Sequence, residues 1–219
     1  MDGEPGPDEV LVDVGLRFPG PGHGLVGTVT AVGPGVDPGL RGRPVVTRSR
    51  PGRPAVRVVV AASAVLPEAL GPGQAAALVD DAATALRVLA GTPVRAGEDV
   101  LVVPAADGPG ALLVRLVTDA GARVVAAAHG AHAMRLAREL GAVHVVDHGN
   151  RGWVTQVHEL LPRGPAVVFD GAGGLVGRAA AWLVAQGGRY TSYGTALGPA
   201  PDLGPCEPRA RGITVTTSW

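Results

Sequence analysis

The stretch Glu98–Ala128, EDVLVVPAADGPGALLVRLVTDAGARVVAAA, decides how the rest of the chain is read. Val100–Val103 is an apolar run of strand length that stops at Pro104. Ala111–Val117 then carries apolar residues with Arg115 as its only charge, and the Gly121-Ala122 turn leads into a second apolar run, Val124–Ala128. A parallel pair of strands joined by a crossover helix is the economical arrangement of such a pattern.

The turn between the first strand and the helix is where a dinucleotide-binding fold places G-x-G-x-x-G. Its first glycine makes the turn, the second lets the backbone approach the pyrophosphate, and the third lets helix and strand pack closely. Those places hold Ala105, Asp107 and Gly110, with Gly108 between the last two. Alanine at the first place is a mild change. A carboxylate at the second puts bulk and negative charge where a pyrophosphate should meet bare N–H groups at a helix N-terminus. Asp107 is expected to N-cap the helix, with Pro109 tolerated in its first turn. A cap that satisfies those N–H groups competes with a phosphate for them. After the second strand, His129-Gly130-Ala131-His132-Ala133 offers no arginine before Arg135 and no acid for a ribose hydroxyl, so neither NAD nor NADP finds its usual anchor.

Composition bounds the remaining possibilities. At 219 residues and 46% hydrophobic content the chain can build one large or two small globular domains. Nineteen basic and nineteen acidic residues cancel, which favours neither nucleic acid nor an anionic membrane as partner. Every basic residue is arginine, which removes lysine Schiff-base chemistry. The single cysteine, Cys206, excludes an internal disulfide and a cysteine-built zinc site and fits a reducing cytoplasm. The opening MDGEPGPDE has no charged-then-apolar signal and no apolar run approaches membrane-spanning length. A soluble cytoplasmic protein is the expectation.

Taken in order, Glu9–Val14 and Leu25–Val32 alternate like half-buried strands, and Pro44–Thr47 and Ala55–Ala61 add two more among Gly/Pro turns. Residues 1–72 therefore read as a small β domain. From Gly73 to Leu89 the period becomes helical, and strands near Val100, Val124, Val143, Val167, Arg189 and Ile213 follow, with helices at Ala111, Ala131, Gly152 and Leu175 between the first five. Residues 73–219 thus read as an α/β domain with a doubly wound, six-stranded parallel Rossmann sheet.

EPGPDEVLVDV, PGHGLVGTVTAVGPGV, PEALGPGQAAAL, VRAGEDVLVVPAADGPG, ARELGAVHVVDH and VVFDGAGG together resemble the medium-chain dehydrogenase/reductase superfamily, specifically its zinc-free quinone oxidoreductases and the enoyl-reductase domains of polyketide synthases. The resemblance implies that the first domain is a GroES-like β domain, here truncated. An insert usual between Phe18 and Pro19 is missing, and Ala133 stands where relatives commonly hold the NADPH 2′-phosphate with a basic residue. The resemblance also implies that His23, in Gly22-His23-Gly24, and Asp80, counted back from Thr84, occupy two positions that carry zinc ligands in the metal-dependent branch. The third ligand belongs to the missing insert; His23, Asp80 and Asp81 could together hold a divalent ion as a histidine–carboxylate site, but without a fuller ligand set no metal is expected.

A histidine beside a carboxylate can act as an oriented general base without metal or nucleotide. His23, Asp80, Asp81, Thr84 and Tyr193 are the candidate catalytic residues, and Ala105, Asp107, Gly108 and Gly110 a degraded cofactor site. Asp170 is expected to cap the GAGG turn, and His129, His132, His144, His148 and His158 are expected on the surface. The expectation is an enzyme of small-molecule, polyketide-type biosynthesis that has lost its hydride donor and performs cyclisation, dehydration or isomerisation. NADPH-dependent enone or quinone reduction is the alternative, and a non-catalytic binding or scaffold protein the third. Ile213–Thr217 alternates apolar and hydroxyl side chains, and as a last strand it is expected to pair a homodimer.

Overall fold

The computed structural model describes residues 4–17, 24–48, 56–61, 64–65, 71–204 and 210–218. His23, Cys206, Trp219 and the Phe18-Pro19 junction lie outside them. The chain divides into two compact units, Met1–Ala83 and Thr84–Trp219. The division falls within helix α1, Pro72–Gly91, whereas the expected 72/73 boundary lies at the start of that helix.

In the first unit, β1 (Val10–Arg17), β2 (Gly24–Val32), β3 (Pro44–Arg48), β4 (Arg57–Val60) and the two-residue β5 (Ala64–Val65) form an antiparallel sheet ordered β4-β1-β2-β3-β5. The period-2 pattern divides its residues between two faces. Val10, Val12, Leu25, Val29, Val45 and Val60 form one cluster, while Val26 and Val46 pack with Ala75 and Val79 of α1. Gly27 is required where β2 crosses β1, because a side chain there would run into the Asp13 carbonyl.

The second unit carries β6 (Asp99–Val103), β7 (Arg123–Ala128), β8 (His144–Asp147), β9 (Val167–Asp170), β10 (Arg189–Ser192) and β11 (Thr214–Thr217). They form one parallel sheet in the order β11-β10-β9-β6-β7-β8. Between them run α2 (Pro109–Asp119), α3 (Ala131–Glu139), α4 (Trp153–Leu160) and α5 (Gly174–Leu183). The α/β expectation holds, with β11 shorter than the sequence pattern indicated.

The continuous apolar runs arise because both faces are covered. Val100, Val102, Val124, Ala126, Val167 and Phe169 pack under Leu113, Val114 and Val117 of α2. Their neighbours Leu101, Val103, Val125, Ala127 and Val168 pack under Trp153 and Val157 of α4 and Ala180, Ala181 and Leu183 of α5. Each fully buried valine or leucine contributes on the order of 1.5–3 kcal/mol. The strand order reverses between β6 and β9, which opens a crevice beyond their carboxyl ends.

Candidate functional site

The crevice is bounded by the turn Pro104–Gly108 after β6. Gly108 takes φ 46°, and a side chain on Gly110 would collide with the Pro104 carbonyl, so helix and strand approach as closely as the third fingerprint glycine requires. Asp107 does not cap α2, contrary to expectation. Gly108 occupies the N-cap with no side-chain bond, and the Asp107 side chain is exposed. The reason is local: the turn uses its own carbonyls, with Gly110 N–H donating to Asp107 O at 3.0 Å and Ala111 N–H to Gly108 O at 3.2 Å. Pro109, at the first helical position, has no N–H.

A pocket of about 250 Å³ sits here, lined by Pro104, Asp107, Gly108 and Pro109 from this turn and by Gly171 and Tyr193–Ala196 from the ends of β9 and β10. Tyr193 is 8% exposed; its ring lies against Gly171 and its hydroxyl beside Gly110. A pyrophosphate fits this cradle poorly. One of the first three helical N–H groups is missing, two donate to carbonyls of the turn, and among the described lining residues the one carboxylate is Asp107. A hydrogen bond to a charged group is worth about 1.5–3 kcal/mol, so one lost donor weakens an anion roughly ten- to hundredfold.

The next turn, after β9, uses an aspartate differently. Asp170 is fully buried. Its Oδ1 accepts the Ala172 N–H at 2.8 Å and the Gly173 N–H at 3.0 Å, and its Oδ2 accepts the Tyr190 hydroxyl. Capping of the GAGG turn is therefore observed. Burial raises the Asp170 carboxyl above its ordinary range, although Tyr190 and the two N–H groups pull it down. The Tyr190 hydroxyl is raised by burial and by the Asp170 charge. A side chain at Gly177 would strike the Asp170 carboxylate, so α5 also depends on this contact.

The histidines are not all surface residues. The register of β7 with β8 sets Ala128 beside Asp147, so the residues that follow the two strands meet. His129 Nδ1 lies 3.0 Å from Asp147 Oδ1, which also accepts the Gly149 N–H at 2.9 Å. His148 is half-buried with its ring 5.7 Å from that of His129. Burial, then the His129 charge, hold His148 below its ordinary value, and the His129 hydrogen bond leads the causes that lower Asp147. Ring spacing along the sequence gave no hint of this trio; strand register does. His132 lies 3.4 Å from Arg135, and His144 and His158 are exposed as expected. Among the described residues no cluster of three or more His, Cys, Asp or Glu could hold a metal ion, and no helix is long and apolar enough to cross a membrane.

In the first unit, Asp80 and Asp81 on α1 are both partly buried. Asp80 Oδ2 accepts the Gly24 N–H at 3.3 Å. His23 is outside the described residues, so its approach to Asp80 is not among the observed contacts. Thr84, partly buried on the same helix, and Tyr193 belong to the second unit.

The sequence pattern of the zinc-binding dehydrogenases matches residues 108–219, just over half of the chain. The rat synaptic vesicle membrane protein VAT-1 homolog is 31% identical over 189 residues, 84% of this chain and 47% of its own. A mycocerosic acid synthase-like polyketide synthase of Mycobacterium tuberculosis is 33% identical over 184 residues, 81% of this chain and 9% of its own. The chain thus spans about half the length of one relative and a small part of the other. Among solved structures, a mycobacterial protein complexed with NADPH superposes with TM-score 0.77 at 28% identity, covering 100% of this chain and 75% of that one. A Pseudomonas syringae quinone oxidoreductase does so with TM-score 0.78 at 26% identity and the same coverage. The chain belongs to the zinc-binding dehydrogenase family, within the medium-chain dehydrogenase/reductase superfamily.

Proposed function

We propose that the chain is a reductase-fold enzyme of small-molecule, polyketide-type metabolism that works without a tightly bound hydride donor, moving protons on a conjugated carbonyl substrate by cyclisation, dehydration or isomerisation. The turn after β6 carries this reading, since Pro109 removes a donor and Asp107 adds a charge where a pyrophosphate needs the opposite. Likeness to a polyketide synthase supports the substrate type. His23 and Asp80 are the acid–base pair in this reading, the carboxylate fixing the imidazole tautomer and stabilising its cation. Its support is that Gly24, next in sequence to His23, donates to Asp80. Asp81, Thr84 and Tyr193 are the remaining candidates.

A second reading, NADPH-dependent enone or quinone reduction, is favoured by the retained close packing at Gly110 and by likeness to the structure solved with NADPH. Titrating NADPH while following melting temperature separates the two. The first reading expects no saturation in the low micromolar range, and a dissociation constant there would overturn it. With substrate in hand, turnover without NADPH should fall about a hundredfold or more in Asp80→Asn.

The same reading includes a homodimer. Among the described residues β11 pairs with β10 alone, and Val215 on it is 45% exposed; a second copy along this edge would satisfy its outer N–H and C=O groups. A monomer by light scattering at high micromolar concentration would remove it.

A further inference from the structure

The crevice at the carboxyl edge has an unusual charge balance for a site between two helix N-termini. The end of α2 supplies about half a positive charge, and its neighbour Asp107 a full negative one. The turn before α5 already holds a buried carboxylate, Asp170, which takes the Ala172 and Gly173 N–H groups. Among the described residues no arginine or histidine lines the pocket, and its other walls come from prolines, glycines, Ala196, Thr195 and Tyr193. Among the described lining residues the one formally charged side chain is the Asp107 carboxylate, on a pocket of about 250 Å³.

A surface aspartate commonly serves only solvation or a helix cap. Asp107 is not a cap, has no ion pair among the described contacts, and stands on the wall of a formed pocket. We propose that this crevice receives a small molecule bearing an ammonium group on an apolar or aromatic body, and that Asp107 is its specificity-determining residue. The carboxylate would meet the cation and the ring of Tyr193 the body, an arrangement that also favours cations through the ring face. This names a ligand class for the crevice and rests on the proposed function only in reading the turn after β6 as a poor pyrophosphate cradle.

Benzylamine and benzoate, alike in shape and opposite in charge, test the proposal on the full chain. Benzylamine at pH 7 should shift the backbone amide signals of Gly108, Gly110 and Thr195 in nitrogen–proton correlation spectra, weaken with added salt, and lose about fivefold in affinity in Asp107→Asn, the scale of an exposed ion pair. Because Asp107 caps nothing, that variant should fold as the parent does. Benzoate binding as well as benzylamine, unchanged benzylamine affinity in Asp107→Asn, or no shift at tens of millimolar would each overturn the proposal. Tight NADPH binding beside intact amine preference would sink the cofactor-independent reading alone, whereas weak NADPH binding with no amine preference would sink this inference alone.

Discussion

Asp107 and Asp170 each stand where a central strand of the parallel sheet gives way to a helix, Asp107 in the turn and Asp170 as the last residue of β9, and both turns contain glycine. Asp170 is closed off from water, accepts two backbone N–H groups and a phenol, and lies under α5. Asp107 is exposed, accepts nothing at the cap, and faces a pocket. The difference comes from which atoms serve the turn, since neither helix has a side-chain cap bond. Where the side chain takes the turn's N–H groups, the carboxylate is spent on structure. Where turn carbonyls and a proline take or remove them, the carboxylate remains available to a ligand.

The comparison breaks first at Asp170. Asp170→Ala leaves the Ala172 and Gly173 N–H groups and the Tyr190 hydroxyl buried without their acceptor. Each orphaned group costs about 1–3 kcal/mol and the costs overlap, so a loss of about 3 kcal/mol is expected. In a chain of this size that is a melting-temperature drop of roughly 6–12 °C. Tyr190→Phe, which removes only one donor, should lose clearly less. If Asp170→Ala melts with the parent, the buried aspartate is not the structural partner of the pair.

A smaller effect is expected at the β7–β8 edge, where a third aspartate, Asp147, is paired with His129. Folding holds His148 below its ordinary 6.5, through burial first and the His129 charge second, with Asp147 pulling the other way. Its contribution is therefore present above 6.5 and is lost as pH falls below it. Asp147 is held below 3.8 and contributes until pH falls through that lowered value. Asp170 is raised by burial, so protonating it relieves a cost and opposes the loss. Comparing the parent with His148→Gln cancels the Asp170 contribution, and Asp147, whose lowering His148 shares in, lies below the pH range compared. The parent should lose melting temperature from neutral pH to about pH 5 while the variant stays flatter; parallel profiles would show that His148 is not the titrating group.

The sheet was legible because hydrophobic burial on both faces writes continuous apolar runs. Val100–Val103 and Val124–Ala128 could scarcely be anything else, and their strand order follows from the alternation with helices. The site was legible only in part. The position of Asp107 was evident, but its failure to cap the helix was not, because propensity says which residue can cap and not whether the turn's carbonyls arrive first. Pro109 carried a readable signal, a missing donor at the first helical position, that its tolerance there obscured. The Asp147–His129–His148 contact depends on register between two strands, and the Asp170–Tyr190 bond on side chains 20 residues apart reaching across β9 and β10; neither leaves a local pattern.

The finest test returns to Asp107. Asp107→Gly restores the second glycine of the fingerprint. Since the carboxylate bonds to no helix N–H, removing it should move the melting temperature little, equivalent to about 0.5 kcal/mol or less, as for surface substitutions away from special features. The same change removes one negative charge beside the pyrophosphate position. At an exposed site about 4–6 Å from a phosphate, charge repulsion is on the order of 1 kcal/mol, so NADPH affinity should rise about fivefold, and less at high salt. Tight binding is not expected, because Pro109 still withholds its N–H. Asp107→Gly with Pro109→Val supplies that donor and should add the larger step, about tenfold or more. A single variant that loses several degrees of melting temperature would make Asp107 a structural residue like Asp170. A double variant that binds NADPH no better than the parent would place the obstacle elsewhere, with Ala133 and the missing basic clamp after β7 the first position to change.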